Sequence, residues 1–272
     1  MLSCPTCFTL SRVYGAADLL AAYDDQLRGQ AESDSSVETD YDGPLVRVHY
    51  RHRGFIGYRT LEGLSDQQLD GLIDRQIAHF AERGQAFEWK TRGHDWPSDL
   101  PDRLRSRGFE PEPRETVLIG VAAQMAIDPV LPDGVRLRSV RAEDDMRRIA
   151  AMESSVWDDD WSWLADELVG LVADGHTDVL VAEAADEVVS AGWIVYKPGT
   201  DFAGIWGGST LKAWRGQGIY RALVARRAQL AVELGYRFLQ VDASDDSRPI
   251  LERLGFVAVT TTTPYVWTPP AP

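Results

Sequence analysis

The stretch that most limits what this chain can become is residues 204–235, GIWGGSTLKAWRGQGIYRALVARRAQLAVELG. It opens on an apolar run (Ile205, Trp206) and breaks at Arg215-Gly216-Gln217-Gly218. It then continues as an amphipathic helix with Ile219, Leu223, Leu230 and Leu234 on one stripe. Gly216 and Gly218 have no Cβ, so the backbone there can turn sharply and come close to a ligand. The first N–H groups of the helix beyond lack intrahelical partners and lie at the positive end of its dipole. Strand, glycine turn and helix start, in that order, make a site for a phosphate or pyrophosphate.

The charge pattern agrees. The chain carries a net charge of −14, yet residues 202–232 contain no Asp or Glu, while Lys212, Arg215, Arg221, Arg226 and Arg227 fall inside them. A basic island on an acidic chain fits a specific anion and argues against general binding to nucleic acid or anionic lipid. A Walker loop is excluded, because no Gly-x-x-x-x-Gly-Lys-Ser/Thr run occurs. A dinucleotide fingerprint would need a third glycine where this chain has Arg221.

Arg215-Gly216-Gln217-Gly218-Ile219-Tyr220 resembles motif A of the GNAT (general N-acetyltransferase) superfamily, Gln/Arg-x-x-Gly-x-Gly/Ala, with Tyr220 standing where Gly or Ala is usual. The resemblance extends over residues 134–268 in the order of predicted elements. It implies an α+β fold on a mixed, mostly antiparallel sheet, and an acyltransferase using acetyl-CoA. The pyrophosphate would lie on Gly216, Gln217, Gly218, Ile219, Tyr220 and Arg221, next to Arg215. The pantetheine would run along Gly208-Ser209-Thr210, with Ser244 and Ser247 as further hydrogen-bonding groups.

The first half repeats this order without the glycine turn. Glu82-Arg83-Gly84, a strand at Phe87, a helix near Leu104, Gly108-Phe109 and a strand at Val117 form one series. Glu233-Leu234-Gly235, a strand at Phe238, a helix near Leu251, Gly255-Phe256 and a strand at Tyr265 form the other. In the first series residues 58–66 (YRTLEGLSD) replace the turn and bring acids that would repel a pyrophosphate. The expected organisation is therefore a tail (1–12), a degenerate GNAT-like domain (13–122), a linker (123–133) and a GNAT domain (134–270). Helices are predicted at 16–30 and from Ser65 to about 83, the polar residues 31–41 read as a loop, and the chain closes with two strands, 257–262 and 265–268.

Cys4 and Cys7 are the only cysteines; no second pair or close His pair follows, so no metal site is expected. No apolar run reaches the ~18–20 residues of a membrane span, and no signal segment opens the chain, so a cytoplasmic location is expected. The internal repeat leaves a monomer or a homodimer open.

Amine acetylation requires a proton acceptor, an oxyanion donor and departure of a thiolate. Asp242 and Glu183, on strands flanking the cofactor strand, are the candidate bases, and a backbone N–H near Thr210 the donor. The position of the family's proton-donating Tyr falls on Leu251; Tyr265, Tyr220 or Tyr196 would have to substitute, and Tyr265 is taken as the candidate. The loop 156–163 (VWDDDWSW) places Trp157, Asp158, Asp159 and Trp161 where they suit a cationic acceptor or pack on the first domain. The reading is N-acetyl transfer to an amine of a small molecule or peptide; the alternative is a non-catalytic acyl-CoA-binding module.

Overall fold

The computed structural model describes residues 14–29, 38–50 and 53–270; the tail with Cys4 and Cys7 and residues 31–37 of the polar segment 31–41 lie outside the described residues. The first half runs α1 (Ala16–Gln26), β1 (Glu38–Asp42), β2 (Leu45–His49), β3 (Gly54–Tyr58), α2 (Asp66–Glu82), β4 (Phe87–Arg92), α3 (Leu100–Arg105), β5 (Glu110–Pro111) and β6 (Glu115–Val121). Helix α2 starts where Ser65 accepts from the Gln68 N–H and Gln68 answers onto the Ser65 N–H, a reciprocal cap that fixes the helix origin. Leu69, Leu72, Ile73 and Phe80 form its buried stripe.

A short helix α4 (Ala122–Met125) leads into β7 (Val135–Val140), α5 (Glu143–Trp157), α6 (Trp163–Ala173), β8 (Thr177–Ala184) and β9 (Glu187–Tyr196). There follow β10 (Phe202–Thr210), a 3-10 turn at Lys212–Trp214, α7 (Ile219–Glu233), β11 (Phe238–Ala243), α8 (Arg248–Arg253) and β12 (Val257–Trp267). The β8–β9 hairpin turns on Ala185 and Asp186, both at positive φ, which matches the twist of the strands it joins. Among the described residues no helix is long and apolar enough to cross a membrane.

All of the strands belong to one 12-stranded sheet of order β1-β2-β3-β4-β12-β6-β11-β10-β9-β8-β7, with β5 paired to β12 off that path. Both halves contain the same unit. In the first, β3 and β4 pair in parallel across α2; in the second, β10 and β11 pair in parallel across α7. Every other pairing is antiparallel. The halves are closed by exchange: β6 of the first pairs with β11 of the second, and β12 of the second pairs with both β4 and β6. Each half therefore completes the other's sheet.

Helices α2, α3, α4, α7 and α8 cover one face; α1, α5 and α6 cover the other. Leu19, Tyr23 and Leu27 of α1 pack on Val117, Ile119, Phe202 and Phe238 at the junction, so the first helix seals the seam between the halves.

Several expectations are corrected. Residues 38–41 begin a strand, because Arg47 on β2 draws Asp40 and Asp42 into ion pairs. Within residues 123–133 Met125 is buried, and Gly120 lacks a Cβ where the Met125 side chain rests. Leu234 is exposed, as it caps α7. The two closing strands are one, because β12 must be long enough to pair with β6 first and β4 afterwards. Tyr265 consequently lies in the core of the first half, opposite Trp89 and beneath the Arg105 guanidinium.

That placement yields a test. Tyr265→Ala, a substitution in the last strand of the second half, removes a ring from the first half's core and is expected to cost about 3–5 kcal/mol. Because the sheet is shared, urea unfolding followed by tryptophan fluorescence and by far-UV circular dichroism should lose both halves in one coincident transition. Two separated transitions would contradict the exchange.

Candidate functional site

Strand β10 is paired on both sides only at its start. It runs parallel to β11 through Phe202, Gly204 and the residue between them, and there the pairing stops. On its other side it stays with β9 to Thr210, but an extra residue is accommodated between Gly207 and Ser209. Gly207 and Gly208 both have positive φ, 65° and 97°, which a side chain would strain. Neither position has room: a Cβ on Gly207 would strike the Trp193 ring, and one on Gly208 would lie 2.4 Å from the Tyr220 ring. Tyr220, where the motif usually has Gly or Ala, is thus accommodated by a glycine in the strand it faces.

Buried inside the bulge is Arg227, 1 % exposed and without a carboxylate partner among the described residues. Its Nη1 donates to the Trp206 and Trp193 carbonyls at 2.9 and 3.3 Å, and its Nε to the Leu223 carbonyl at 3.1 Å. Burial pulls its pKa down to about 10, still ionised at neutral pH. It holds the backbone where the ladder is broken. The sequence places Arg227 in the basic island of residues 202–232; its spacing from Leu223 and Leu230 puts it on the apolar stripe, but its charge alone does not tell an anion-facing residue from a buried one.

Beyond the bulge the Leu211 N–H bonds to the Val189 carbonyl. Alternation along an antiparallel ladder then turns the Thr210 N–H to the opposite edge, the one β11 has left. The Thr210 carbonyl, on that same edge, accepts from Arg215 Nε at 2.9 Å. The chain passes through the 3-10 turn to Gly216 (φ 76°) and Gly218 (φ 88°) and enters α7. Gly218 is the N-cap and has no side chain to bond the first turn, so the N–H groups of Ile219, Tyr220 and Arg221 face outward. The corresponding helix of the first half, α2, has its own Ser65 cap and Asp66 in its first turn. One helix start is closed by side chains; the other has no side-chain cap.

The two faces of the parted strands differ. On the α5 side, Glu153 is 2 % exposed; its Oε2 accepts from Trp157 Nε1 at 2.9 Å, and its Oε1 is buried without a hydrogen-bond partner. Burial raises its pKa, and the Ser209 hydroxyl and Trp157 indole draw it back in part. Above it the indoles form a tier: Trp157 and Trp161 stack at 6.2 Å, Trp161 and Trp163 at 5.3 Å. Asp158, at the left-handed end of α5, and Asp159 are exposed beside them. The structure brings Trp157 and Trp161 together and ties Trp157 to Glu153. Glu153 falls at helical spacing with Met146, Ile149 and Ala150, and nothing in the sequence assigns it a role.

Asp242 shares the sheet face with Gln240, and that face is continuous through the strand pairing with Gly204 and Glu115. It is paired to Lys90 of the first half at 2.5 Å and accepts from Gln240 at 2.8 Å, so this candidate base is held in an ion pair. Next to it Glu115 has its pKa raised to about 7, by burial first and then by the Asp242 charge, against Lys90. This cluster exists only because β6, β11 and β4 meet through the strand exchange, so the order of residues along the chain could not show it.

The other predicted site residues fall as follows. Glu183 is locked by Arg138 at 2.8 Å, Arg148 at 2.9 Å and Arg136 at 3.4 Å; the Arg138 hydrogen bonds, with Arg148, outweigh burial and hold its pKa at about 2. A carboxylate so held is a poor proton acceptor, and its role as a base is corrected. Tyr265 is in the first half's core, and Leu251, in the family's tyrosine position, is fully buried among Val224, Leu239 and Phe256. Tyr196 donates to Asp178 at 2.8 Å, away from the parted strands. Ser244 and Ser247 lie just past β11, with their hydroxyls 3.3 Å apart.

Glu115 allows the electrostatics to be tested. Its folded-state pKa exceeds the ordinary 4.5, so the folded protein holds an extra proton between about 4.5 and 7 and loses stability as pH rises through that window. Glu115→Gln is expected to match the wild type near pH 4 and to exceed it by about 1–2 kcal/mol at pH 8, a figure discounted for the partial exposure of the side chain. Urea titrations at the two pH values check this; equal stability at pH 8 would contradict it.

Comparison with known proteins agrees with this geometry. Residues 143–256 match the sequence profile of the Acetyltransferase (GNAT) family. No curated protein matches the sequence. Among solved structures, a GCN5-related N-acetyltransferase from Kribbella flavida superposes with a TM-score of 0.66 at 16% identity, over 96% of this chain and 98% of its own. One from Sphaerobacter thermophilus gives 0.62 at 14% identity, over 96% of each chain. A tandem GNAT protein from the clavulanic acid biosynthesis pathway gives 0.60 at 13% identity, over 95% of this chain and 98% of its own. These similarities span both halves and share the fold. Residues 143–256 are accordingly a domain of the Acetyltransferase (GNAT) family, joined in tandem to a first half with a GNAT-like fold.

Proposed function

We propose that the protein transfers an acetyl group from acetyl-CoA to an amine of a small molecule or peptide. The observation that carries this reading is a single open track. It begins at the β10 edge vacated by β11, passes the Thr210 N–H and ends at the uncapped start of α7 between Gly216 and Gly218. An extended chain with amide groups, ending in a pyrophosphate, fits such a track. The edge offers backbone pairing, and the helix start offers outward N–H groups with Lys212 and Arg221 exposed beside them.

When bound, acetyl-CoA would supply a thioester whose C–S bond breaks as the amine nitrogen bonds to the carbonyl carbon. The protein's residues have three tasks. The stacked indoles of Trp157 and Trp161, with Asp158 and Asp159, receive the cationic acceptor. Glu153, whose raised pKa brings it towards that of a useful base, takes the proton that an ammonium of unperturbed pKa about 10.4 must lose. The Thr210 N–H donates to the oxygen on which charge develops. A thiolate with a pKa of about 8.5 leaves without needing a strong acid, which is compatible with Leu251 where a tyrosine is usual. That same leucine, sealed in the core, is the one observation favouring the alternative of a non-catalytic acyl-CoA-binding module.

Two outcomes test the reading. In calorimetric titrations the wild type is expected to bind acetyl-CoA and Gly218→Asp to lose at least about 100-fold in affinity, since it adds an acid at an anion site and a side chain at φ 88°. No binding by the wild type would sink both readings, and binding without CoA release across a panel of amines would select the module. Where turnover is seen, Glu153→Gln is expected to lower kcat by about 10²–10⁴-fold and to flatten the acid limb of the pH profile, with acetyl-CoA affinity retained. An unchanged acid limb would remove Glu153 from the chemistry.

A further inference from the structure

Far from the acyl-CoA track, at the β1 edge of the sheet, three side chains from three elements converge. Asp40 lies on β1, His49 on β2 and His79 on α2. His49 Nε2 is 3.2 Å from Asp40 Oδ2 and 3.4 Å from His79 Nε2, and His79 Nε2 is 4.0 Å from the same carboxylate oxygen. His49 is 5 % exposed, and among the described residues its other ring nitrogen has no hydrogen-bond partner, so the polar company described for the imidazole is at the Asp40–His79 end. The ring is wedged there by Phe80 at 5.2 Å.

Hydrogen bonding alone serves this arrangement poorly. With both imidazoles neutral, a proton on His49 Nε2 can point at Asp40 or at His79, leaving the third atom facing a lone pair. A cation at the centre satisfies all three at once. The spacing also fits: at Zn–N and Zn–O bonds of about 2.0–2.2 Å, the corners of a tetrahedron lie about 3.3–3.6 Å apart. Two of the three edges here are 3.2 and 3.4 Å, and the third closes with a movement of about half an ångström by His79 at the surface.

The surroundings resemble the support of a metal ligand. The second oxygen of Asp40 accepts from Arg47 Nη1 at 2.8 Å, and Arg47 is itself fixed by Asp42 at 2.9 Å and by Gln76 at 2.6 Å. A ligating carboxylate oriented by a hydrogen bond to its free oxygen is the usual outer-shell pattern. Asp42 and Arg75 complete the network, so the Arg47 charge is compensated and does not face the site alone. Two imidazoles and one carboxylate select a first-row transition cation such as Zn²⁺ over Mg²⁺ or Ca²⁺.

We propose that Asp40, His49 and His79 bind one Zn²⁺-like divalent cation, with a fourth position open to solvent on the exposed side of Asp40 and His79. The ion clips the edge strand β1 to β2 and to α2. Expectation from the sequence was of no metal site, because only Cys4 and Cys7 showed ligand-like spacing; His49 and His79 are thirty residues apart and meet only through the fold.

The test uses the full chain carrying Cys4→Ser and Cys7→Ser, which removes the other donor pair, after dialysis against a chelator. Adding Co²⁺ should give the visible bands of four-coordinate cobalt at one equivalent, and Zn²⁺ should displace it and raise Tm. Adding His79→Gln, on the partly exposed ligand, should weaken Zn²⁺ binding by at least about 100-fold, beyond the 10–100-fold typical of outer-shell partners. Circular dichroism confirms that this variant is folded, and Asp40→Asn serves in its place if it is not. Absence of the cobalt bands, or unchanged Zn²⁺ affinity in the folded ligand variant, would overturn the proposal.

Discussion

Backbone groups that leave a ladder need other partners, and the second half of this protein is built around one such departure. At Gly204 strand β10 and strand β11 separate, and a few residues later an extra residue in β10 disturbs its pairing with β9 as well. Two different solutions meet the resulting demand. On the inner side the buried Arg227 guanidinium takes the Trp206 and Trp193 carbonyls, so that the break does not propagate into the core. On the outer side the Thr210 carbonyl is held by Arg215, and the Thr210 N–H is left for whatever lies along the edge. The glycine turn continues that edge into a helix start with no cap. Broken ladder and open helix are one feature.

The strand exchange gives the second constraint. With β6 closing the second half and β12 closing the first, neither half keeps its own last strand. The first half therefore contributes to the candidate site without an anion-binding turn of its own. Lys90 from β4 neutralises Asp242, Glu115 from β6 brings a carboxyl poised near neutrality, and α1 covers the seam. The first half thus supplies a wall and a strand to the second.

Much of this was legible in the sequence where the signal is local. The extents of β10, β11, β6 and β7 follow from their apolar and β-branched runs, and the turn at Gly216–Gly218 from residues that only a sharp backbone turn requires. The indole-rich loop after α5 was legible because its composition is unusual. What was not legible depends on distant partners. Glu153 and Arg227 each fall at helical spacing with apolar residues, but nothing in the chain says that each would be buried with an unsatisfied atom. Asp242 looked like a free carboxylate until β4 brought Lys90 alongside, and Glu183 until three arginines surrounded it. Tyr265 was assigned to its own half because sequence order does not reveal an exchanged strand. Side-chain chemistry was readable, but its neighbours across the sheet were not.

The central claim is that the parted edge of β10 and the open start of α7 form one binding track. Amide hydrogen exchange with and without saturating acetyl-CoA measures it directly, residue by residue. The account predicts slower exchange across residues 206–221, with the corresponding first-half segment 54–66 unchanged. Protection confined to the first half, or no slowing between 206 and 221 under saturation, would contradict it.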